Sequence, residues 1–268
     1  MKAYFNYFKL RLITNLQYRA AALAGISTQL FFGMVFLMVY IALYESNTNT
    51  EVPMNLKSVI TYLWLGQAFF AIIYPYIKDA ELLSMIRNGN LAYELVRPQN
   101  FYFKYYIKMV CERLAAVILR CSPVLIVAFL LPEPYNLTLP VSFEAFILFI
   151  LSMIFSCLLI TSMSLLMHII TMFTLNADGV IGMYCMAAEV FTGLLVPVPF
   201  LPSFMIKIGK YLPFRFIGDF SYRVYSGDIS TSEGRIMIIG SILWTVLTIG
   251  IGYLLTKLAL KKAVIQGG

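Results

Sequence analysis

Residues 146–173 read FILFILSMIFSCLLITSMSLLMHIITMF, and no Asp, Glu, Lys or Arg interrupts them. A helix needs about 20 predominantly apolar residues to cross a bilayer core of about 30 Å, so this stretch is long enough to span. The residues around it point the same way. Of 268 residues 60% are apolar and 12% charged, with a mean hydropathy of +0.82, whereas a globular domain is about 45–50% apolar and about 25% charged. A water-soluble enzyme cannot be surfaced with that stock of side chains. Working outward, five further segments reach spanning length: about Ala20–Tyr44, Val59–Ile77, Leu114–Leu131, Val180–Val196 and Ile236–Leu258. With Phe146–Phe173 they predict an all-α, polytopic membrane protein of six transmembrane helices, one transmembrane domain over residues 1–268.

Six spans put both termini on one side, and basic residues choose which. Lys2, Lys9, Arg11 and Arg19 precede the first span, Lys78, Arg87, Arg97, Lys104, Lys108 and Arg113 follow the second, and Lys257, Lys261 and Lys262 follow the last. The other side holds Lys57, Lys207, Lys210, Arg215, Arg223 and Arg235. Because excess Lys and Arg stays in cytoplasmic loops, the count predicts N-in and C-in. The net charge of +7 is thereby explained as orientation, without a nucleic-acid partner. The first apolar run spans by length and follows a basic segment of about twenty residues, so a cleaved leader is not expected.

Three segments that do not span remain. In residues 2–19, Phe5, Phe8, Leu12 and Leu16 share a helical face, consistent with a helix lying in the membrane interface; an ordinary basic flank is the alternative. Residues 78–108, KDAELLSMIRNGNLAYELVRPQNFYFKYYIK, are too charged to span and too rich in Leu, Ile and Tyr for a disordered linker. Asp79 and Glu81 ahead of Leu82, Leu83 and Ile86 suit a short helix ended by Asn88-Gly89-Asn90, with a second from about Leu91 stopping before Arg97-Pro98. Apolar residues on such an ordered loop suggest a docking surface. Residues 197–235 carry Pro197, Pro199, Pro202 and Pro213, too many prolines for one continuous helix, and Ser203–Leu212 reads as an interfacial or re-entrant helix.

Much chemistry is missing. No G-x-x-x-x-G-K-[ST] occurs, and Gly209-Lys210 runs into Tyr211, so no phosphate loop is expected. Cys111, Cys121, Cys157 and Cys185 include no C-x-x-C pair, and the single His168 is expected to pack or bridge helices. Neither H-E-x-x-H nor G-x-S-x-G is present. Accordingly no catalytic residue, metal or cofactor is assigned to the chain.

Charges at membrane depth cost roughly 2.5–3.5 kcal/mol each on insertion scales and usually face protein or a wet cavity. Arg120, in the third span, and Glu189, in the fifth, are the two that stand out. Two readings stand for them: a substrate path or cross-helix pair that changes with state, or a static ion pair or snorkelling arginine. Gln29 and Gln67 read as helix bridges. Phe31, Phe32, Phe36, Phe69, Phe70, Met183 and Met186 are candidates to line an apolar cavity, and ordinary packing would use the same residues.

The phrase Ile86-Arg87-Asn88-Gly89-Asn90-Leu91, followed by Glu94-Leu95-Val96-Arg97-Pro98, resembles the I-R-x-G-x-[LI]-x-x-x-L-[LV]-R-P signature in one bacterial branch of type-2 ABC exporter permeases. Thr192-Gly193-Leu194-Leu195-Val196-Pro197, Leu201-Pro202, Tyr211-Leu212-Pro213-Phe214 and Tyr225-Ser226-Gly227 extend the similarity, while Ser221 stands where the pattern places a proline. The resemblance implies a permease in the bacterial inner membrane, paired with an identical or different permease above a dimer of ATPase subunits. ATP and magnesium would be held by that partner. It further implies a coupling segment of Ser84, Met85, Ile86, Arg87, Asn88, Gly89, Asn90, Leu91, Glu94 and Arg97, and a hydrophobic or amphipathic cargo such as a drug, peptide or lipid. An integral membrane enzyme or a proton-coupled transporter using Arg120 and Glu189 is the competing class, and a scaffold subunit without a transport path is a third.

Overall fold

The computed structural model describes residues 2–46, 52–76, 78–88, 94, 99–174 and 177–262. In chain order the helices begin with α1 (Lys2–Leu16), α2 (Arg19–Ser46), α3 (Leu56–Ala68), α4 (Phe70–Ile73) and α5 (Ala80–Arg87). They continue with α6 (Phe101–Leu130), α7 (Phe143–Thr174), α8 (Ala177–Phe191), α9 (Ser203–Gly209), α10 (Asp219–Ser226) and α11 (Thr231–Lys262), and 3₁₀ turns at Val198–Phe200 and Pro213–Phe216 flank α9. Among the described residues every regular element is helical.

Four helices, α2, α6, α7 and α11, are long and apolar enough to cross a membrane. Helix α7 forms the centre and packs most extensively against α11. Its buried hydroxyls explain how two apolar helices hold together where lipid removes the hydrophobic drive: Ser162 and Thr248 share a hydrogen bond of 2.6 Å between α7 and α11. Outward faces are apolar instead of charged, as with Met38 and Val39 on α2 and Leu243 and Val246 on α11, because lipid is their solvent.

The second and fifth expected spans take a different form. Val59–Ile77 is divided into α3 and α4 at Phe69, which leaves the helical region at φ −100°, ψ 14°. Its 13-residue first part is about 20 Å long. Val180–Val196 is realised as α8, of 15 residues, ended by Gly193 at φ +76°. That conformation lets the Tyr62 ring close on the turn, since a β-carbon at 193 would stand 1.9 Å from its hydroxyl oxygen. Each is shorter than the ~30 Å a spanning helix covers, and pattern alone did not show where the third dimension would break them.

Two boundaries also move. Helix α6 begins at Phe101, well before the expected Leu114, because Asn100 caps it by accepting from the Phe103 N–H and because Phe101, Tyr102, Tyr105 and Tyr106 are buried. The helix expected over Ser203–Leu212 stops at Gly209. On α1, Phe8 and Leu12 face inward as expected, whereas Phe5 is 67% exposed. Tyr4 Oη ties α1 to the start of α6 by accepting from the Asn100 N–H at 2.8 Å, and within α1 Tyr7 Oη accepts from Arg11.

Candidate functional site

Helix α5 matches the expected short helix up to its end at Asn88. Asp79 is its N-cap, the carboxylate accepting from the Leu82 N–H at 3.0 Å, which satisfies one of the donors a helix start leaves open. Leu82, Leu83 and Ile86 are buried, while Glu81, Ser84, Arg87 and Asn88 are exposed and Met85 is half-buried. Of the remaining proposed coupling residues, Gly89, Asn90, Leu91 and Arg97 lie outside the described residues, as does the second helix expected from Leu91. Glu94 is buried and paired with Lys104 of α6.

Three long-range ties hold α5 in place. Lys108 of α6 reaches Asp79 at 2.8 Å and Glu81 at 2.7 Å, and the hydrogen bond from Lys108 holds the Glu81 carboxyl below its ordinary range. His168 of α7 accepts the Asp79 N–H at Nε2, 3.1 Å, and its Nδ1 lies 2.7 Å from the Ser164 carbonyl. A carbonyl can only accept, so Nδ1 carries the proton and the ring is neutral with Nε2 free to accept. Asp178, in the first turn of α8, bridges Lys78 at 3.0 Å and Arg87 at 3.4 Å. The exposed Asp178 carboxylate thus links the segment just before α5 and the last residue of α5 to the base of α8.

Beneath α5, Arg113 is fully buried and donates to the carbonyls of Ile72 and Tyr74, each at 2.8 Å, and to Ser164 Oγ at 3.1 Å. The last carbonyls of a helix have no partner of their own, so the guanidinium closes the end of α4 and fastens it to α7. From the sequence, Arg113 is one of the cations after the second span and shares a helical face with Arg120, with no sign of these partners. A basic residue within an apolar helix, one heptad from Arg120, was the available signal.

Above this lies a cavity of about 340 Å³ between α2, α3, α4, α6 and α8. Arg120 and Glu189 both line it, with Phe32, Phe36 and Phe70. The guanidinium of Arg120 rests on α2 where Gly25 leaves room: a β-carbon there would come within 2.6 Å of Cζ. Glu189 faces the phenols of Tyr74 and Tyr76. No ion pair joins Arg120 to Glu189 among the described residues, and Arg120 Nε has no hydrogen-bond partner. Gln29 and Gln67 complete the polar part of the wall. Gln29 is 4% exposed, yet neither atom of its amide is bonded, so the helix-bridging role expected for it is not what the structure shows.

The other candidate lining residues lie elsewhere. Phe31 is 64% exposed on the outer face of α2, because its neighbour Phe32 takes the inward position. Phe69 turns its ring to Phe149, 5.2 Å between centroids, since the break between α3 and α4 rotates it into the core. Met183 and Met186 are 77% and 68% exposed, and the buried side of α8 is carried by Tyr184, Cys185 and Ala188.

At the opposite end, Tyr62 of α3 donates to the buried Asp219 Oδ1 of α10 at 3.1 Å, and Arg223 lies 3.7 Å from the same carboxylate and 2.6 Å from Asp228. This cluster ties the proline-rich segment to α3 and closes that end of the bundle.

Residues 30–267 match the family model described as ABC-2 family transporter protein. No curated protein matches the chain.

Proposed function

The chain belongs to the ABC-2 transporter family, and we propose on that premise that it is an exporter permease driven through α5. As a family member it is the multi-pass membrane component of an ABC transporter, not an enzyme by itself, and it associates with an ATP-binding subunit. In the proposed working arrangement α3 with α4 and α8 complete six crossings, N-in and C-in, in a bacterial inner membrane. Two permeases, identical or different, stand on two ATPase subunits that hold the ATP and magnesium. The exposed side of α5, Glu81, Ser84, Arg87 and Asn88, meets the ATPase, with Gly89, Asn90, Leu91 and Arg97 as its further contacts, while the buried Glu94 anchors the segment to α6. The cavity of Arg120 and Glu189 is the half-path for a hydrophobic or amphipathic cargo.

One observation carries this reading: Asp178 and Glu189 stand on the same helix. Asp178 links Lys78 just before α5 and Arg87 at its end, and Glu189 lies eleven residues on, about 16 Å along α8. Movement of the docking helix on ATP-driven closure is therefore passed to the cavity wall by a rigid lever. A ligand biases a conformational equilibrium only through different affinities for its states, and this lever makes the cavity's affinity depend on the state of the ATPase.

The test is the reconstituted complex carrying Asp178→Asn. Assembly with the ATPase and basal hydrolysis should persist, while cargo-stimulated hydrolysis falls severalfold. Unchanged stimulation would remove the lever. The competing reading, a proton-coupled transporter, draws on the two unpaired charges in one cavity, and transport by the chain under a proton gradient without ATP would favour it.

A further inference from the structure

The cavity between α2, α3, α4, α6 and α8 holds opposite charges that do not meet. Arg120 and Glu189 line the same 340 Å³ without an ion pair among the described residues, and the Gln29 amide beside them is buried with both atoms unbonded. An orphaned buried amide is costly, because its lost water is replaced by nothing. Each charge at this depth carries its own desolvation cost. Among the described residues Arg120 Nε is unbonded and has no anion, Glu189 has the Tyr76 phenol beside it but no cation, and the Gln29 amide has no partner, all on a floor of phenylalanine rings.

That shortage discriminates between ligands. A singly charged amphiphile that filled the cavity and expelled water would neutralise one side chain and strand the other. A neutral one would strand both. Only a molecule carrying both signs satisfies the wall. Resting on the reading of this cavity as a cargo site, we propose that it selects small zwitterionic amphiphiles, with Arg120 receiving the anionic group, Glu189 the ammonium, Gln29 a polar group between them, and Phe32, Phe36 and Phe70 the apolar body. Gly25 belongs to the same device, because it lets the guanidinium lie flat against α2. Short peptides with aromatic side chains and the zwitterionic headgroups of lipids share this chemistry.

The full-length chain in lipid nanodiscs is titrated calorimetrically with the dipeptide Phe-Phe, its N-acetyl form, its C-terminal amide and the doubly blocked form. The free dipeptide should bind more tightly than either singly blocked form by on the order of a hundredfold, the loss expected when one charge is stranded. Glu189→Gln should abolish the penalty for N-acetylation and leave that for amidation; Arg120→Gln should do the reverse. Titrations in phosphatidylethanolamine and phosphatidylglycerol discs separate the two sources. Weaker Phe-Phe binding in the former identifies the zwitterionic headgroup as a resident competitor, and equal binding identifies the soluble molecule.

Equal affinity for all four forms, or no binding of any, would overturn the proposal. The ligand series on the unaltered chain decides this even if neither variant folds. Stimulation of the ATPase through Asp178 is measured separately, so the selectivity can fail while the exporter reading stands.

Discussion

The backbone N–H of Asp79 donates to Nε2 of His168 over 3.1 Å, so the first turn of α5 hangs from the chain's single histidine. His168→Leu leaves that buried N–H without an acceptor, which costs about 1–3 kcal/mol. Hydrogen exchange over Asp79–Ile86 should accelerate and the unfolding midpoint in detergent should fall. His168→Gln offers a new oxygen at similar reach and should restore part of the loss; equal damage from both variants would show that packing, and not the hydrogen bond, is what His168 supplies.

Lys108 and Asp79 form a pair that is 8% and 2% exposed. Removing one partner of a buried pair typically destabilises by about 3–5 kcal/mol, because the other is left charged and uncompensated. Lys108→Met should therefore be severe. Adding Asp79→Asn, which keeps a capping oxygen for the Leu82 N–H, should recover a large part of the loss, and a double-mutant cycle on thermal unfolding measures the coupling.

Gly25→Ala should separate fold from transport. Alanine is the better helix former by about 1 kcal/mol, and the atoms its methyl meets are the far end of a flexible arginine. The chain should fold as well as the parent while Arg120 is displaced, lowering cargo-stimulated ATP hydrolysis. Gly193→Ala is the contrast: at φ +76°, with the Tyr62 hydroxyl in the way, it should lower stability outright.

Acid should loosen α5. The Lys108 hydrogen bond depresses the Glu81 carboxyl in the folded chain, so its contribution is complete above the unfolded value of about 4.3 and disappears as pH falls through the lower folded value. Protection factors at Leu82–Ile86, corrected for the intrinsic pH dependence of exchange, should fall below about pH 4.3, and Glu81→Gln should flatten part of that dependence. An identical pH profile in the variant would assign the acid sensitivity elsewhere.

The long helices α2, α7 and α11 were legible because each holds more than twenty predominantly apolar residues without one charge. Asp79 and Asn88 marked α5, since caps are local. Arg120 and Glu189 stood out by the cost of charge at depth, and the structure brings both to one cavity with Phe32, Phe36 and Phe70. Asp178 and Arg113 were not legible as ties, because their partners lie far off in sequence: Lys78 and Arg87 for the first, Ile72 and Tyr74 for the second. The outward turn of Met183 and Met186 was hidden for a similar reason. Lipid-facing and cavity-facing positions of α8 are equally apolar, and hydropathy cannot tell one oil from another.

Arg113 gives the break after α4 a further meaning. In hydrocarbon an unfinished helix end is forbidden unless something other than water supplies its donors. Here one guanidinium stands in for the missing turn, taking the carbonyls of Ile72 and Tyr74 while its other nitrogen holds Ser164. The chain can therefore bend here with the carbonyls of its helix end bonded, and the bend has a rest angle set by a planar ion with a fixed fork. If the chain works as the proposed exporter, this point is a sprung joint, where an uninterrupted helix would be a strut and an unsatisfied loop would be a leak.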